Sequence, residues 1–399
     1  YLAFNVEKRS GKLMLQAMRE KFESLYDVEA EVSAFAPGRI NLIGEHTDYN
    51  GGYVFPAAIE LGTYGLAAKR DDRKIQLYSN NFEEKGIITF TLDDLVFNQD
   101  DDWANYPKGV VKYLTEKFDK IDRGFNILVE GNIPNGASLS SSASIEILTG
   151  WLLKDLFDLE LEHLQLIKIG QVVENKFMGV NSGIMDQFII GMGKENHAIL
   201  LDTATLDFEY VPTKFGDYVI SIMNTNKRRS LTESKYNERR AECESALADL
   251  KKELNIEALG ELTLAQFDQN KHLIRDEVSR RRAKHAVSEN ERTKLARKVL
   301  AENDFEQFGK LLNMSHGSLK EDYEVTGIEL DTLAETAQQV NGVLGARMTG
   351  AGFAGCAIAL VHKDSIELLE HEVSQMYLEK IGYAPSFYHV GISGGVTSL

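Results

Sequence analysis

Strand-like and helix-like patterns occupy separate blocks of this chain, and that segregation restricts the folds open to it. From Glu31 to Phe90 the apolar residues come in short runs, among them Gly65 to Ala68, Ile75 to Tyr78 and Ile87 to Phe90, divided by Gly- and Asp-rich turns. From Leu231 to about Gln339 the spacing is helical, and the remainder to Leu399 reads as strand, loop, strand, helix and strand. Between these blocks the pattern predicts a helix near Ala104 to Phe118, a strand at Phe125 to Glu130, and helices over Ser140 to Phe157 and Glu162 to Phe177. Strands are expected at His197 to Leu201, Phe208 to Val211 and Tyr218 to Met223, and Leu13, Leu15, Met18, Phe22 and Leu25 mark an amphipathic helix over Ser10 to Val28. Blocks of this kind, without regular βα alternation, point to an α+β architecture rather than one doubly wound sheet. With 399 residues, the chain exceeds the size at which a single hydrophobic core stops growing. Two lobes, 1–212 and 213–399, are expected, with a cleft for ligands between them.

Forty-three per cent hydrophobic and 26% charged residues fit a compact globular body, and six prolines leave little room for long linkers. Asp and Glu number 61 against 44 Lys and Arg, a formal charge of -17 that repels phosphate backbones, so no nucleic-acid partner is expected. The basic runs Lys227–Arg229 and Arg280–Arg282 sit among acidic residues and read as solvated helix faces. Cys243 and Cys356 are too few for a disulfide framework or a cysteine metal site, which suits a reducing cytoplasm. Tyr1 to Lys8 shows no cationic segment followed by an apolar stretch, and no run approaches the roughly 20 apolar residues that span a bilayer, so neither secretion nor membrane insertion is expected.

Three segments carry chemistry. In Gly38–Gly52, Glu45, His46 and Asp48 crowd together between Gly44 and the Gly51-Gly52 pair, where side chains able to accept several hydrogen bonds can converge on a ligand rich in hydroxyl groups. A solvated turn with Asp48 as a helix cap is the alternative. In Pro134–Ser144, small residues between a strand and a helix start let backbone amides approach an anion, and Ser140, Ser141 and Ser142 add hydroxyls for phosphate or a metal; a serine-rich helix cap is the alternative. No Gly-x-x-x-x-Gly-Lys-Ser/Thr motif is present. In Met348–Cys356, Gly350, Gly352 and Gly355 match G-x-G-x-x-G, but the strand pattern of Cys356–Val361 follows where a dinucleotide site needs a helix. A tight glycine connection between strands is the better reading.

Taken together, these segments resemble the galactokinase branch of the GHMP small-molecule kinases, named for galactokinase, homoserine kinase, mevalonate kinase and phosphomevalonate kinase. The resemblance implies a two-lobed fold with its active site in the cleft, ATP and Mg2+ as cofactors, and galactose as the acceptor. The reaction would place a phosphoryl group on the anomeric O1 hydroxyl, giving galactose 1-phosphate and ADP, the first committed step of galactose catabolism. Glu45, His46, Thr47 and Asp48 would bind sugar hydroxyls, with Gly183 and Tyr236 completing the pocket. Gly136, Ala137, Ser138, Leu139, Ser140, Ser141 and Ser142 would hold the ATP phosphates, and Ser79 and Trp103 match positions near the nucleotide. Ser142 and Glu174 match the family's metal positions, oxygen ligands of the kind magnesium prefers. Asp186 matches the catalytic acidic residue that takes the O1 proton, and Arg39 would hold it charged while stabilising the transferring phosphoryl group. No partner beyond galactose and MgATP is implied, and a monomer is expected. Ser138 departs from the glycine common in relatives, and altered nucleotide affinity is expected from it.

Two other functions fit parts of the pattern. One is a sensor that binds galactose and ATP without turnover; the presence of Arg39, Asp186 and Ser142 speaks against it. The other is a related kinase acting on arabinose, N-acetylgalactosamine or a non-sugar alcohol, and the Glu45–Asp48 row argues against acceptors with few hydroxyls.

Overall fold

The computed structural model describes the backbone of residues 2–228 and 232–399, and side chains from residue 11 onward in that set. Arg229 of the basic run and Leu231, the expected start of the helical block, lie outside the described residues. Helix α1 (Leu2–Tyr26) begins earlier than its apolar pattern. Strands β1 (Val32–Asn41), β2 (Tyr53–Val54), β3 (Pro56–Lys69), β4 (Lys74–Ser79) and β5 (Ile88–Thr91) follow, then α2 (Asn105–Thr115) and β6 (Phe125–Gly131). Helices α3 (Ser141–Phe157), α4 (His163–Val172) and α5 (Met185–Met192) precede β7 (His197–Asp202), β8 (Phe208–Pro212) and β9 (Tyr218–Asn224). The helical block contains α6 (Thr232–Lys251), α7 (Leu264–Asn270), α8 (Glu277–Ala301), α9 (Phe305–Glu321) and α10 (Gly327–Gln339). Strands β10 (Val343–Thr349) and β11 (Cys356–His362), helix α11 (Ile366–Ile381), and strands β12 (Ser386–Tyr388) and β13 (Thr397–Ser398) complete the chain.

The first lobe is a six-stranded sheet in the order β13-β1-β3-β6-β4-β5, antiparallel except where β4 runs parallel to β6. Strand alternation sorts its two faces. Leu66, Ala68 and Leu128 meet Met18 and Phe22 of α1, whereas Ala67, Ile127 and Val129 face Leu148 and Leu152 of α3 within the main core. The second lobe has a four-stranded sheet in the order β10-β11-β9-β12. In β11 one face, Ala357, Ala359 and Val361, packs on the core shared with α6, α8, α10 and α11. The opposite face, Cys356, Ile358 and Leu360, joins Ile40, Leu42, Phe55 and Ala57 of the first lobe. Burial on both faces explains the unbroken apolar run in Cys356–Val361. The lobes are thus joined by a common apolar layer, and the cleft opens beside it.

Strand β8 ends at Pro212 in a small sheet with β2 and β7, and β9 begins the second sheet at Tyr218. The expectation that 213–399 forms one lobe needs correction at its far end. Ile392 bridges Ile59, and β13 pairs with Ala34 and Phe35 of β1, so the last residues return to the first sheet. They cover the edge of β1, whose backbone groups would otherwise lack ladder partners. Among the described residues no helix is long and apolar enough to cross a membrane.

Phe22 is fully buried and stacks edge-on against Tyr26, pinning α1 to the outer face of the first sheet. Phe22→Ala is expected to lower the unfolding free energy by about 3 to 5 kcal/mol. Urea denaturation of the two proteins measures it, and a loss below about 1 kcal/mol contradicts the packing described.

Candidate active site

A cleft of about 370 Å³ runs between the lobes, a size suited to a small-molecule ligand. Its lining brings together Arg39, Glu45, His46, Asp48, Gly183, Asp186 and Tyr236 with Ser79, Trp103 and Glu174 and with Gly136, Ser138, Ser140, Ser141 and Ser142. Thr47, Ala137 and Leu139 are the sequence-predicted residues left out of this lining. The Thr47 hydroxyl is buried, donating to the Tyr53 carbonyl at 2.6 Å with the Gly44 carbonyl at 3.1 Å. Ala137 and Leu139 point into the apolar layer between the lobes.

That inward and outward alternation has a backbone cause. Ser138 and Ser140 adopt left-handed conformations, with φ of 58° and 65°, which turn their side chains away from those of Ala137 and Leu139. A left-handed position explains why glycine is the easier residue at Ser138. The third glycine segment packs directly on it: a Cβ at Gly355 would lie 2.4 Å from the Ser138 Cβ and Oγ, so no larger residue fits. Ser140 stands at the cap of α3, yet its hydroxyl does not cap the helix. It donates instead to Asp186 Oδ2 at 2.6 Å, leaving the first amides of α3 facing the cleft without a side-chain cap.

Arg39 and Asp186, 147 positions apart, form a two-pronged ion pair. Arg39 Nε donates to Oδ1 at 2.8 Å and Nη2 to Oδ2 at 3.0 Å, while Nη1 donates to the Ser138 carbonyl at 2.8 Å. A register shift in β1 at Pro37 and Gly38 precedes Arg39, a bulge of the kind that re-aims the next side chain. Asp186 lies in the first turn of α5, where a carboxylate meets the positive end of the helix. Burial works against the charge of Arg39, but Asp186 and then Glu45 hold its pKa above the ordinary value. The Asp186 side chain keeps 30% of its surface exposed, toward the cleft.

The turn after β1 carries the next group. Burial pushes the Glu45 carboxyl up to about 7, opposed by Arg347 and Arg39, and Glu45 accepts hydrogen bonds from Asn41 Nδ2 and, at 2.8 Å, from the Gly350 amide. Burial and then Asp186 push Asp48 up to about 6. Gly183 touches this carboxylate so closely that a Cβ would sit 2.1 Å from Asp48 Oδ2; its amide reaches the hydroxyl of the half-buried Tyr236. The His46 ring lines the cleft, but neither of its nitrogens is free. Nε2 lies 2.8 Å from the Ala351 carbonyl and therefore carries the proton; Nδ1 accepts from Tyr49, 2.7 Å away. Burial lowers the His46 pKa to about 3, fixing the neutral ring. The ring therefore binds the third glycine segment, and a direct hydrogen bond from it to a sugar hydroxyl has no free nitrogen to use.

Helix α4 passes into a wide π-type turn, Val173–Phe177, which aims Glu174 at Ser142. Glu174 is 6% exposed; burial raises its pKa, while hydrogen bonds with Glu146 and Ser142 oppose that shift. A hydroxyl and a carboxylate side by side are hard oxygen donors that fit a magnesium ion. Glu146, one turn beyond Ser142 on α3, is fully buried, and burial with the Glu174 charge pushes its carboxyl well above the usual range. Ser79 accepts from the Asn81 amide at 3.1 Å, and the buried Trp103 indole N–H has no protein acceptor.

A serine-rich loop at an uncapped helix start beside a carboxylate–guanidinium pair, set between two α+β lobes, is the arrangement of a small-molecule kinase of the GHMP type. The GHMP kinase N-terminal domain matches residues 105–194, the GHMP kinase C-terminal domain residues 296–378, and the galactokinase galactose-binding signature residues 20–69. A galactokinase of Staphylococcus saprophyticus is 80% identical over 97% of this chain and 100% of its own length. One from Staphylococcus carnosus is 70% identical over 96% of this chain and 99% of its own. The crystal structure of Lactococcus lactis galactokinase complexed with galactose superposes with a TM-score of 0.94 at 54% identity, covering 97% of this chain and 100% of that one. The chain belongs to the galactokinase family.

Several residues of the site carry no motif. Glu146 and Arg347 show only as single charges in otherwise uncharged runs, Tyr323 as an ordinary aromatic, and Glu289 as one of three acids on α8, while Tyr49 lies in the Gly38–Gly52 segment without being singled out. A buried-face charge was the available signal for the first two. His285 resembles His46: its Nε2 lies 3.1 Å from the Glu45 carbonyl, its Nδ1 2.8 Å from the Ser318 hydroxyl, and burial lowers its pKa to about 4. Histidines held neutral in the fold and free to charge when unfolded stabilise it fully above their unfolded pKa of about 6.5. That stability is lost as pH falls through the lowered values. Between pH 6.5 and 5, urea unfolding of the His285→Gln variant should show a shallower loss of stability than the native chain, the difference reaching about 1.4 kcal/mol per pH unit. Parallel pH dependences contradict the neutral, buried state of His285.

Proposed function

We propose that the chain transfers the γ-phosphoryl group of MgATP to the O1 hydroxyl of galactose. The observation that carries this reading is Asp186, held by Arg39 and Ser140 between the sugar-loop carboxylates and the serine loop. Sugar hydroxyls would donate to Glu45 and Asp48, with Tyr236 and the Gly183 backbone closing that end of the cleft. His46 would act by holding Ala351, and Thr47 by holding the turn. Galactose O1 would then lie beside Asp186. The O1–P bond forms as the bond from the γ-phosphorus to the bridging oxygen breaks, the O1 proton passes to Asp186, and ADP leaves.

The amides of Gly136–Ser142 and the start of α3 would cradle the phosphates, and the Arg39 guanidinium would offset charge on the group in flight. Ala137 and Leu139 contribute through their backbone, since their side chains face the core. Ser142 and Glu174 would hold Mg2+, which supplies charge neutralisation of the phosphates when bound. Ser79 and Trp103 would meet the nucleoside, the free indole N–H serving as a donor. A reducing cytoplasm suits the buried thiols Cys243 and Cys356, and the chain would act as a monomer.

Asp186→Asn keeps the shape and removes the proton acceptor. Turnover in a galactose-dependent ADP-release assay is expected to fall about 10²- to 10⁴-fold, with galactose affinity by calorimetry within a few-fold of the native chain. Near-normal turnover with binding intact contradicts the base role.

A further inference from the structure

Arg347 on β10 is fully buried and does not line the cleft, yet its guanidinium reaches the sugar end of the site through Glu45. Nη1 donates to the carbonyls of Asn41 and Leu42, at 2.8 and 3.3 Å, where β1 runs into the sugar loop. Nε donates to Ser315 Oγ at 3.2 Å, and Ser315 in turn donates to Glu289 Oε2 at 2.6 Å. Nη2 has no hydrogen-bond acceptor of its own and lies 3.7 Å from Glu45 Oε2. Glu289 completes the frame from α8: Arg292 donates to its Oε1 at 2.9 Å, and the Glu45 amide lies 3.4 Å from its Oε2. Burying a cation carries a desolvation cost that nearby carboxylates offset. Burial holds the Arg347 pKa below its ordinary value, Glu45 and then Glu289 oppose that shift, and Glu45 is the one lining the cleft.

We propose that Arg347, from the second lobe, is a positioning residue of the sugar site that keeps the Glu45 carboxylate charged and aimed into the cleft. The inference rests on the sugar-binding role given to Glu45 above. The charged and titratable groups around Glu45 enter the balance: Arg39 on β1, Asp186 on α5, His285 and Glu289 on α8, with Arg292 acting through Glu289, Arg347 on β10, and His46 and Asp48 on its own loop. Desolvation favours the protonated acid, and Arg347 is the largest opposing charge, ahead of Arg39. A protonated Glu45 loses acceptor capacity toward sugar hydroxyls. Removing the Arg347 charge moves Glu45 protonation to higher pH, so sugar capture fails at a pH where the native chain still binds.

The test is the pH profile of kcat/KM for galactose between pH 5.5 and 8.5, by ADP release at saturating MgATP, for the native chain, Arg347→Met, Arg347→Lys and Glu45→Gln. For Arg347→Met the acid limb should move about one unit toward alkaline pH. Galactose KM at pH 7.5 should rise about threefold, with the KM for MgATP unchanged, because the loss falls on ground-state sugar binding. Arg347→Lys should restore most of the limb, and Glu45→Gln should remove the part of the limb near pH 7 and leave only the lower part that Asp48, raised to about 6, contributes. A limb unmoved in Arg347→Met, or equal losses toward galactose and MgATP, overturns the proposal. If Arg347→Met does not fold, Arg347→Lys and Glu45→Gln decide together: a limb near pH 7 that persists in Glu45→Gln overturns the proposal, and its loss there with its retention in Arg347→Lys supports it. Galactose-independent ADP release by the native chain would instead overturn the sugar-kinase reading itself.

Discussion

The ion pair between Arg39 and Asp186 couples the first strand of the chain to the helix that ends the first lobe's helical layer, and most of the site is arranged around it. Arg39 is bulged out of β1, Asp186 is presented by the first turn of α5, and Ser140 leaves the cap of α3 unfilled to reach the same carboxylate. A planar guanidinium with two parallel bonds fixes the carboxylate in orientation as well as charge. The third guanidinium nitrogen holds the Ser138 carbonyl, so one side chain sets both the acid and the loop expected to carry phosphate.

The third glycine segment matters for a different reason from the one its spacing suggests. It does not open a helix; it turns from β10 into β11 and lies between two loops. The Gly350 amide and the Ala351 carbonyl bind Glu45 and His46, and Gly355 fits against Ser138. Small residues there let a strand connection of the second lobe touch the sugar loop and the serine loop of the first at van der Waals distance. The cleft is therefore shaped by contacts between lobes, and the apolar layer of Ile40, Phe55, Ile358 and Leu360 keeps those contacts in register.

Local chemistry made part of this legible from sequence. The α+β blocks followed from periodicity, and the serine loop and the Glu45–Asp48 turn stood out because their composition suits few other purposes. What remained hidden depends on partners distant in sequence. Whether His46 has a free nitrogen is decided by Tyr49 and Ala351; whether Ala137 faces ligand or core is decided by the left-handed residue beside it. Glu146 beneath Glu174 and Arg347 behind Glu45 look like ordinary charges until the fold buries them. The return of the final strand to β1 was likewise invisible, because a two-residue strand has no periodicity to read.

The proposed sugar and phosphate sites of one cleft, meeting at Asp186, make phosphoryl transfer to O1 the central claim. Its most direct measurement is ADP release from MgATP with galactose, glucose, arabinose, N-acetylgalactosamine and 1-deoxygalactose as separate acceptors, with phosphorus and proton NMR of the product. Release that requires galactose, is absent with 1-deoxygalactose, and yields galactose 1-phosphate is the predicted result. Turnover unaffected by loss of O1, or galactose binding with no turnover at all, contradicts it.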